Sequence, residues 1–174
     1  MSRTNSVSSR PRPSLLVCNR QKARRLNLPL VRRLLRRLVE QSPQESLRSG
    51  GQLAVYFIHA AEMARLNEQF LGHAGSTDVL TFNYQQGPAP GAWCGEIFVS
   101  VDDALASAPR FRAPWQLELA RYLVHGVLHL RGYDDRRTAA RREMKREENR
   151  LLKALSRGFD WSKLERRKHG TRRK

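Results

Sequence analysis

The sequence is poor in cysteine, in acidic residues and in long apolar runs, and each shortage excludes a class of protein. Its two cysteines, Cys18 and Cys94, stand far apart and outside any Cys-x-x-Cys pattern, which argues against a disulfide framework and a thiolate metal site. No uncharged apolar run reaches the roughly 18 residues that a membrane-spanning helix needs. The N-terminal residues contain no apolar core of signal-peptide length. We therefore expect a cytoplasmic protein with no membrane partner.

The shortage of acidic residues leaves a large positive charge, which is concentrated at the two ends of the chain. There are 33 Lys and Arg against 16 Asp and Glu, a formal net charge of +17. Residues 1–52 hold 12 basic and 2 acidic residues, residues 53–105 hold 1 and 6, and residues 106–174 hold 20 and 8. Such a charge is typical of proteins that bind a polyanion, most often nucleic acid. The alternative is that the arginine-rich stretches are only solvated helix faces.

The length of 174 residues suits a single domain with a sizeable core. Residues 1–13 and 163–174 are basic and lack apolar periodicity, so we expect two disordered tails around one domain at residues 14–162. The C-terminal tail would add salt-dependent affinity for RNA that is independent of base sequence.

Hydrophobic periodicity predicts the elements of that domain. Strands are predicted at residues 15–19, 52–58, 76–82 and 94–100, with a loop at residues 87–91. Helices are predicted at residues 30–39, 60–70, 102–108, 114–131 and 138–155. Two strand–helix–strand steps followed by a hairpin give an α+β fold, in which a small mixed four-stranded sheet is packed with about five helices.

Two histidines at helical spacing are the strongest candidate functional residues. His125 and His129 lie in an apolar run that begins at Pro114 and stops at Gly132, so both imidazoles project from one face of one helix. Asp135 follows the glycine break, where the chain must turn back. Two imidazoles and a carboxylate can bind a metal ion and leave positions open for water or substrate. The competing interpretation is a pair of half-buried histidines, but an unpaired polar ring on an apolar face is costly to bury.

Two further carboxylates are candidates for catalysis. Glu118 lies two helical turns before His125 on the same face, and Asp134 adjoins Asp135. Either can orient a metal ligand or accept a proton, and we favour the orienting role. The zincin protease pattern His-Glu-x-x-His has its general base after the first histidine, where this chain has Gly126. The sequence therefore argues against peptide hydrolysis and leaves the base unassigned.

The residues of this segment carry a family resemblance. Residues 125–134, His-Gly-Val-Leu-His-Leu-Arg-Gly-Tyr-Asp, resemble the YbeY family of bacterial metal-dependent endoribonucleases, whose motif is His-Gly-x-Leu-His-Leu-x-Gly-Tyr-Asp-His. Residues 66–82 and 95–100 are similar to two other family segments, so the likeness covers roughly residues 14–158. It implies a zincin-like metal-hydrolase architecture and one divalent metal ion, with Zn²⁺ expected. It also implies cleavage of single-stranded RNA during rRNA maturation, with the small ribosomal subunit as partner and no DNA substrate.

The chain departs from the family pattern at four positions. The family's third metal ligand is a histidine, and here it is Asp135, a carboxylate that still suits zinc and harder cations. The family's RNA-contacting arginine is Leu71, which removes a bidentate phosphate or transition-state clamp. Ala74 and Asn83 replace a family aspartate and proline. Three explanations of Leu71 remain open. Another arginine of this chain takes over the contact with RNA, the activity is reduced, or the substrate is different.

Three functions remain open from the sequence. The first is an endoribonuclease that uses a metal-activated water in ribosome biogenesis. The second is a non-catalytic RNA-binding ribosome-assembly factor that keeps the fold, an alternative motivated by Leu71 and Asp135. The third is a metal hydrolase of a small molecule or peptide, which explains the candidate site but not the charge.

Overall fold

A computed structural model describes residues 13–41, 51–84 and 94–166, so most of the two predicted tails and the predicted loop at 87–91 lie outside the described residues. Within the described ranges, four strands and five helices confirm the predicted α+β class. The elements in chain order are β1 (Ser14–Asn19), α1 (Leu28–Glu40), β2 (Gln52–Ile58), α2 (Ala60–Leu71), β3 (Val79–Tyr84), β4 (Cys94–Ser100), α3 (Val101–Ser107), α4 (Trp115–Leu130), α5 (Thr138–Ser156) and a 3₁₀ turn (Trp161–Leu164).

The sheet has the strand order β1-β2-β4-β3. β1 and β4 each pair with β2 in parallel, and β3 pairs with β4 as an antiparallel edge. The third strand begins three residues later than the sequence predicts, at Val79. The reason is a local turn, because the side chain of Asp78 accepts hydrogen bonds from the Val79 amide (2.9 Å) and the Thr77 hydroxyl (3.1 Å). The two central strands, β2 and β4, are thus parallel to each other, and β1 and β3 are the edges.

Helices cover both faces of the sheet. α1 and α4 pack on one face and α5 packs against α4; together they form the main core, with Val55, Phe57 and Ile97 of the sheet beneath. α2 covers part of the other face, where Met63 packs against Ile58. α4 is buried around most of its circumference, which is the pattern of a helix enclosed by other elements. The helix that carries both histidines is therefore held between the sheet and α5.

The described chain continues past the expected domain end at residue 162. Leu164 is fully buried, and Glu165 forms an antiparallel bridge with Leu26. The Arg166 amide donates to the Arg25 carbonyl at 2.8 Å. This last segment fastens the chain after α5 to the start of α1. None of the described helices is both long and apolar enough to span a bilayer.

Candidate metal centre

The end of α4 brings the two histidines and Asp135 to one point. His125 and His129 are one helical turn apart, and the helix stops one residue after His129. Gly132 then takes a left-handed conformation (φ 88°), which glycine adopts without steric cost. The amide of Gly132 donates to the His129 carbonyl at 2.9 Å and closes the reversal. The chain therefore returns along the histidine face, and Arg141 of α5 holds the Asp135 carbonyl from the other side at 2.8 Å.

The three candidate ligand atoms form a compact triangle. Nε2 of His125 and Nε2 of His129 are 3.0 Å apart, and Oδ2 of Asp135 lies 3.6 Å from the first and 3.9 Å from the second. All three side chains are half-buried. A circle through the three atoms has a radius of about 2 Å, which is the length of a zinc–nitrogen or zinc–oxygen bond. The separations are therefore those of donors around one small divalent cation.

The hydrogen bonds of the two rings leave both Nε2 lone pairs facing inward. Nδ1 of His125 lies 3.2 Å from a carboxylate oxygen of Glu148, and Nδ1 of His129 lies 3.1 Å from the Tyr133 carbonyl. Both partners only accept, so each Nδ1 carries the proton and each neutral ring has an unprotonated Nε2. Two lone pairs 3.0 Å apart repel each other unless a cation lies between them. The donor set thus fits a metal ion.

Burial adds to the preference of His129 for a neutral ring. The pKa of His129 is lowered from its ordinary value, first by desolvation in the half-buried site and second by the neighbouring His125. A ring that resists protonation keeps its lone pair available to a metal ion at lower pH. The electrostatics at His129 therefore favour metal binding over a charged imidazole.

Glu148 is the functional residue that sequence reasoning missed. It lies on α5, is only 3% exposed, and accepts hydrogen bonds from Arg121 and Lys145 at 2.6 Å each as well as from His125. Burial alone would raise the pKa of its carboxyl group, but the hydrogen bonds from His125, Lys145 and Arg121 outweigh burial and lower it to about 2. One signal was available, because Glu148 follows Met144 by four residues on the apolar stripe of α5.

The two carboxylates that the sequence singled out for catalysis form their hydrogen bonds with arginines rather than with the histidine rings. Glu118 is buried in the wall beside them, 1% exposed, and accepts a hydrogen bond from Arg121 at 3.4 Å. Asp134 is exposed and accepts from the amide of Arg136 at 3.1 Å within its own turn. Among the described residues, neither carboxylate has a hydrogen bond to His125 or His129; the ring of His125 is instead oriented by Glu148.

Gly126 lies where α4 comes closest to the sheet. A Cβ at this position would stand 2.8 Å from Cγ2 of Ile97 on β4 and 3.2 Å from Cγ2 of Val79 on β3. No larger side chain fits between the helix and the strands at these distances. A glutamate general base next to the first histidine is therefore excluded by packing as well as by the sequence.

Two of the candidate ligands, His125 and Asp135, line a cavity of about 710 Å³. Its walls come from α3, α4, α5 and the loops before β3 and α4, and they combine acidic residues with four basic side chains. Leu71, where the family has an arginine, is 52% exposed at the end of α2 and is not part of the wall. The lining residues are Ser76, Thr77, Asp78, Asp103, Ser107, Arg110, Phe111, Ala113, Glu118, Arg121, Tyr122, His125, Asp135, Arg141, Met144, Lys145, Glu148 and Asn149.

Comparison with known proteins gives concordant results. The family model described as Endoribonuclease YbeY matches residues 16–156. Endoribonuclease YbeY of Chlorobium phaeovibrioides is 42% identical over 96 residues, which cover 55% of this chain and 63% of that protein. The protein of the same name from Salinibacter ruber is 39% identical over 97 residues, covering 52% and 62%, and that from Phocaeicola vulgatus is 34% identical over 106 residues, covering 61% and 75%. The chain thus aligns with slightly less than two thirds of the first two relatives.

One solved structure shows the same fold. The solution structure of TM1509 from Thermotoga maritima matches with a TM-score of 0.55 at 22% identity, over 91% of this chain and 99% of that one. The similarity therefore extends over nearly the whole described domain, and at this identity it shows the fold alone.

Proposed function

This chain belongs to the YbeY endoribonuclease family, and from that premise we propose that it is a metal-dependent endoribonuclease that hydrolyses phosphodiester bonds in single-stranded RNA. The observation that carries the proposal is the triangle of His125, His129 and Asp135, whose donor atoms face one another at the edge of a cavity with basic side chains. A site of this kind accepts a phosphate and can activate water against it.

We propose that these three residues hold one divalent cation, with Zn²⁺ as the expected ion. Two imidazole nitrogens and one carboxylate oxygen form a common ligand set of catalytic zinc sites, which keep a further position open. A bound divalent cation supplies Lewis-acid chemistry, because it lowers the pKa of water and draws charge from a phosphoryl oxygen. Asp135 keeps a donor where the family motif has histidine, and its negative charge also suits harder metals.

The remaining residues act through position and charge. Glu148 fixes the ring of His125 and is itself fixed by Arg121 and Lys145. We propose Glu118, which lies in the cavity wall, as the candidate proton acceptor, and we assign Asp134 the weaker role of supporting the turn that carries Asp135. The cationic groups of Arg141 and Lys145 stand at the same cavity and favour a phosphate there.

The proposed substrate is ribosomal RNA in its single-stranded regions, with the small ribosomal subunit as partner and the cytoplasm as location. The net charge of +17 supports a polyanionic partner. No DNA substrate is expected. This proposal assigns the chain to ribosome biogenesis, in rRNA maturation.

A second function is favoured by one observation. The exposed Leu71 stands where the family resemblance has an RNA-contacting arginine, so a clamp on the phosphate is missing from that position. A chain that kept the fold and the charge but lost cleavage would serve as an RNA-binding ribosome-assembly factor. The two functions differ in one measurable property, the cleavage of RNA.

The test measures bound metal by elemental analysis and cleavage of a labelled single-stranded RNA by gel electrophoresis. We expect about one divalent ion per native chain and metal-dependent cleavage. His129→Ala and Asp135→Ala should lose the ion and reduce cleavage by at least about 100-fold, because each removes a ligand. Glu143→Ala, which removes an exposed carboxylate from α5, is the control and should match the native protein.

Two results would redirect the proposal. Native protein that binds RNA but cleaves none under any divalent metal would establish the assembly-factor alternative. Asp135→His restores the family ligand and should change metal preference; if metal content and cleavage stay the same in both Asp135 variants, Asp135 is not a ligand.

A further inference from the structure

Phe111 is the most exposed large apolar side chain in the described part of the protein, at 64%. It lies in the loop between α3 and α4, residues 108–113. Single exposed apolar residues are common on protein surfaces, so exposure by itself means little. Phe111 differs because it stands at the wall of the cavity that also contains His125 and Asp135.

The loop holds Phe111 in a defined position. The Phe111 amide donates to the Ser107 carbonyl at 3.3 Å, and the Ala113 amide donates to the Ala108 carbonyl at 3.1 Å. Between them Arg112 adopts a left-handed conformation with φ 50°, the sole non-glycine residue with positive φ among those described. Residues with a side chain rarely adopt this backbone conformation, and it persists only where its surroundings enforce it. The aromatic ring is thus carried on a closed, constrained turn.

Arg110 precedes Phe111 on the same turn and lines the same cavity. Within residues 13–41, 51–84 and 94–166, no hydrogen bond or ion pair engages its guanidinium group. Arg141 and Lys145 border the cavity from α5. The cavity therefore combines an aromatic ring with an unpaired guanidinium group and two further cations. Proteins use such groups to bind unpaired nucleobases and their phosphates.

We infer that Phe111 and Arg110 form a nucleotide subsite at the mouth of the metal cavity, in which Phe111 stacks on an unpaired base and Arg110 contacts the adjoining phosphate. The inference rests on the proposed function, since it assigns the subsite to an RNA strand that enters the metal site. Bases inside a duplex are stacked on each other and offer no free face. The subsite therefore favours single-stranded RNA, because only an unpaired base can stack on the ring of Phe111.

The first experiment measures equilibrium binding of a fluorescently labelled single-stranded RNA to the full chain, with gels to show that the RNA stays intact. We expect Phe111→Leu to bind about tenfold more weakly, since stacking on an aromatic ring contributes that order of affinity. Phe70→Leu is the matched control, because Phe70 is 53% exposed on α2 and lies outside the cavity wall; it should bind like the native chain. Thermal melts check that both variants fold.

Two further variants probe the chemistry of each residue. Phe111→Trp should retain native affinity for RNA. Because its new tryptophan stacks on a base, RNA should quench the fluorescence of this variant more than that of the native chain, which has three tryptophans. Arg110→Gln should lower the slope of log affinity against log salt by about 0.7, the value for one phosphate contact on a single strand. Neither change is expected from residues with only a structural role.

The decisive form of the binding experiment uses RNAs from which a single base has been removed, at one position at a time. For the native chain, one abasic position should weaken binding about tenfold, and Phe111→Leu should be insensitive at that position. Equal abasic profiles for the native chain and Phe111→Leu would overturn the subsite, as would a native chain that binds no RNA.

Because binding is measured separately from cleavage, the two proposals can fail separately. If the native chain shows the position-specific abasic effect but never cleaves RNA, the subsite is supported and the proposed enzymatic function is wrong. If the native chain cleaves RNA and Phe111→Leu binds and cleaves it equally well, the enzymatic function is supported and the subsite is wrong.

Discussion

At the scale of single residues, the candidate site depends on a buried charge that no local pattern identifies as catalytic. Glu148 is 3% exposed, and burying a carboxylate costs several kcal/mol unless it is paired and hydrogen-bonded. Arg121, Lys145 and His125 together satisfy it. The pairing fixes the carboxylate, and the carboxylate in turn fixes which nitrogen of His125 faces the site.

We predict that Glu148→Gln lowers metal affinity by about 10- to 100-fold, because an amide orients the His125 ring less strongly than a carboxylate. It should also cost about 2 kcal/mol of stability, since Arg121 and Lys145 lose their shared counter-charge. Metal titration and chemical denaturation measure the two effects. Glu147→Gln is the control; the half-buried Glu147 pairs with Arg150 and forms no hydrogen bond to a candidate ligand among the described residues, so metal affinity should not change. Equal metal affinities in the two variants would contradict the assigned role of Glu148.

At the scale of elements, the site is set by how closely α4 approaches the sheet. Gly126 is the contact point, and the side chains of Ile97 and Val79 occupy the space that any Cβ would need. His125 and His129 lie on either side of this contact along the helix. The position of the helix against β3 and β4 therefore also fixes the position of both rings relative to Asp135.

Gly126→Ala should destabilise the fold by roughly 2 kcal/mol. A Cβ 2.8 Å from the branched methyl of buried Ile97 forces α4 away from the sheet, and overpacking of this kind outweighs the helix propensity that alanine gains. Metal affinity should fall as well, because the helix carries both histidines. Gly158→Ala is the matched control, with no atom within 4 Å of the new Cβ, and should stay within about 0.5 kcal/mol of the native protein. A native melting temperature for Gly126→Ala would show that the helix can shift at no cost.

At the scale of the whole molecule, the positive charge is concentrated towards the two ends of the chain. The N-terminal and C-terminal thirds carry nearly all of the basic residues, while residues 53–105 are acidic in balance. On α1, five apolar side chains are buried, and Arg33, Arg36 and Arg37 are exposed. Among the described residues, Arg36 and Arg37 form no ion pair, which leaves both available to a phosphate backbone.

RNA affinity should therefore fall steeply with salt, and part of that slope should come from α1. Arg36→Gln combined with Arg37→Gln is expected to reduce the slope of log affinity against log salt by about 1.4 if each contacts one phosphate. Arg65→Gln, which removes the single basic residue of the acidic middle segment, is the control and should leave the slope unchanged. An unchanged slope in the double variant would mean that Arg36 and Arg37 belong only to a solvated helix face.

The amino-acid sequence by itself determined the elements and the candidate ligands. Apolar spacing located every described helix and strand to within about three residues, since periodicity reports which side of an element is buried. It also put His125 and His129 on one helix face and located the reversal at Gly132, because both follow from the local geometry of the chain. The family motif was readable for the same reason, as its residues are contiguous.

Only the tertiary structure decided which distant residues meet. Three features have no local signal in the sequence: the insertion of β4 between β2 and β3, the approach of Glu148 to His125 across 23 positions, and the place of Phe111 in the wall of the cavity that His125 lines. A buried carboxylate is stable only beside the cations that packing brings to it, and a close helix–sheet contact is visible in the sequence merely as a glycine. Periodicity is a property of one segment, whereas a site is a property of the segments packed around it.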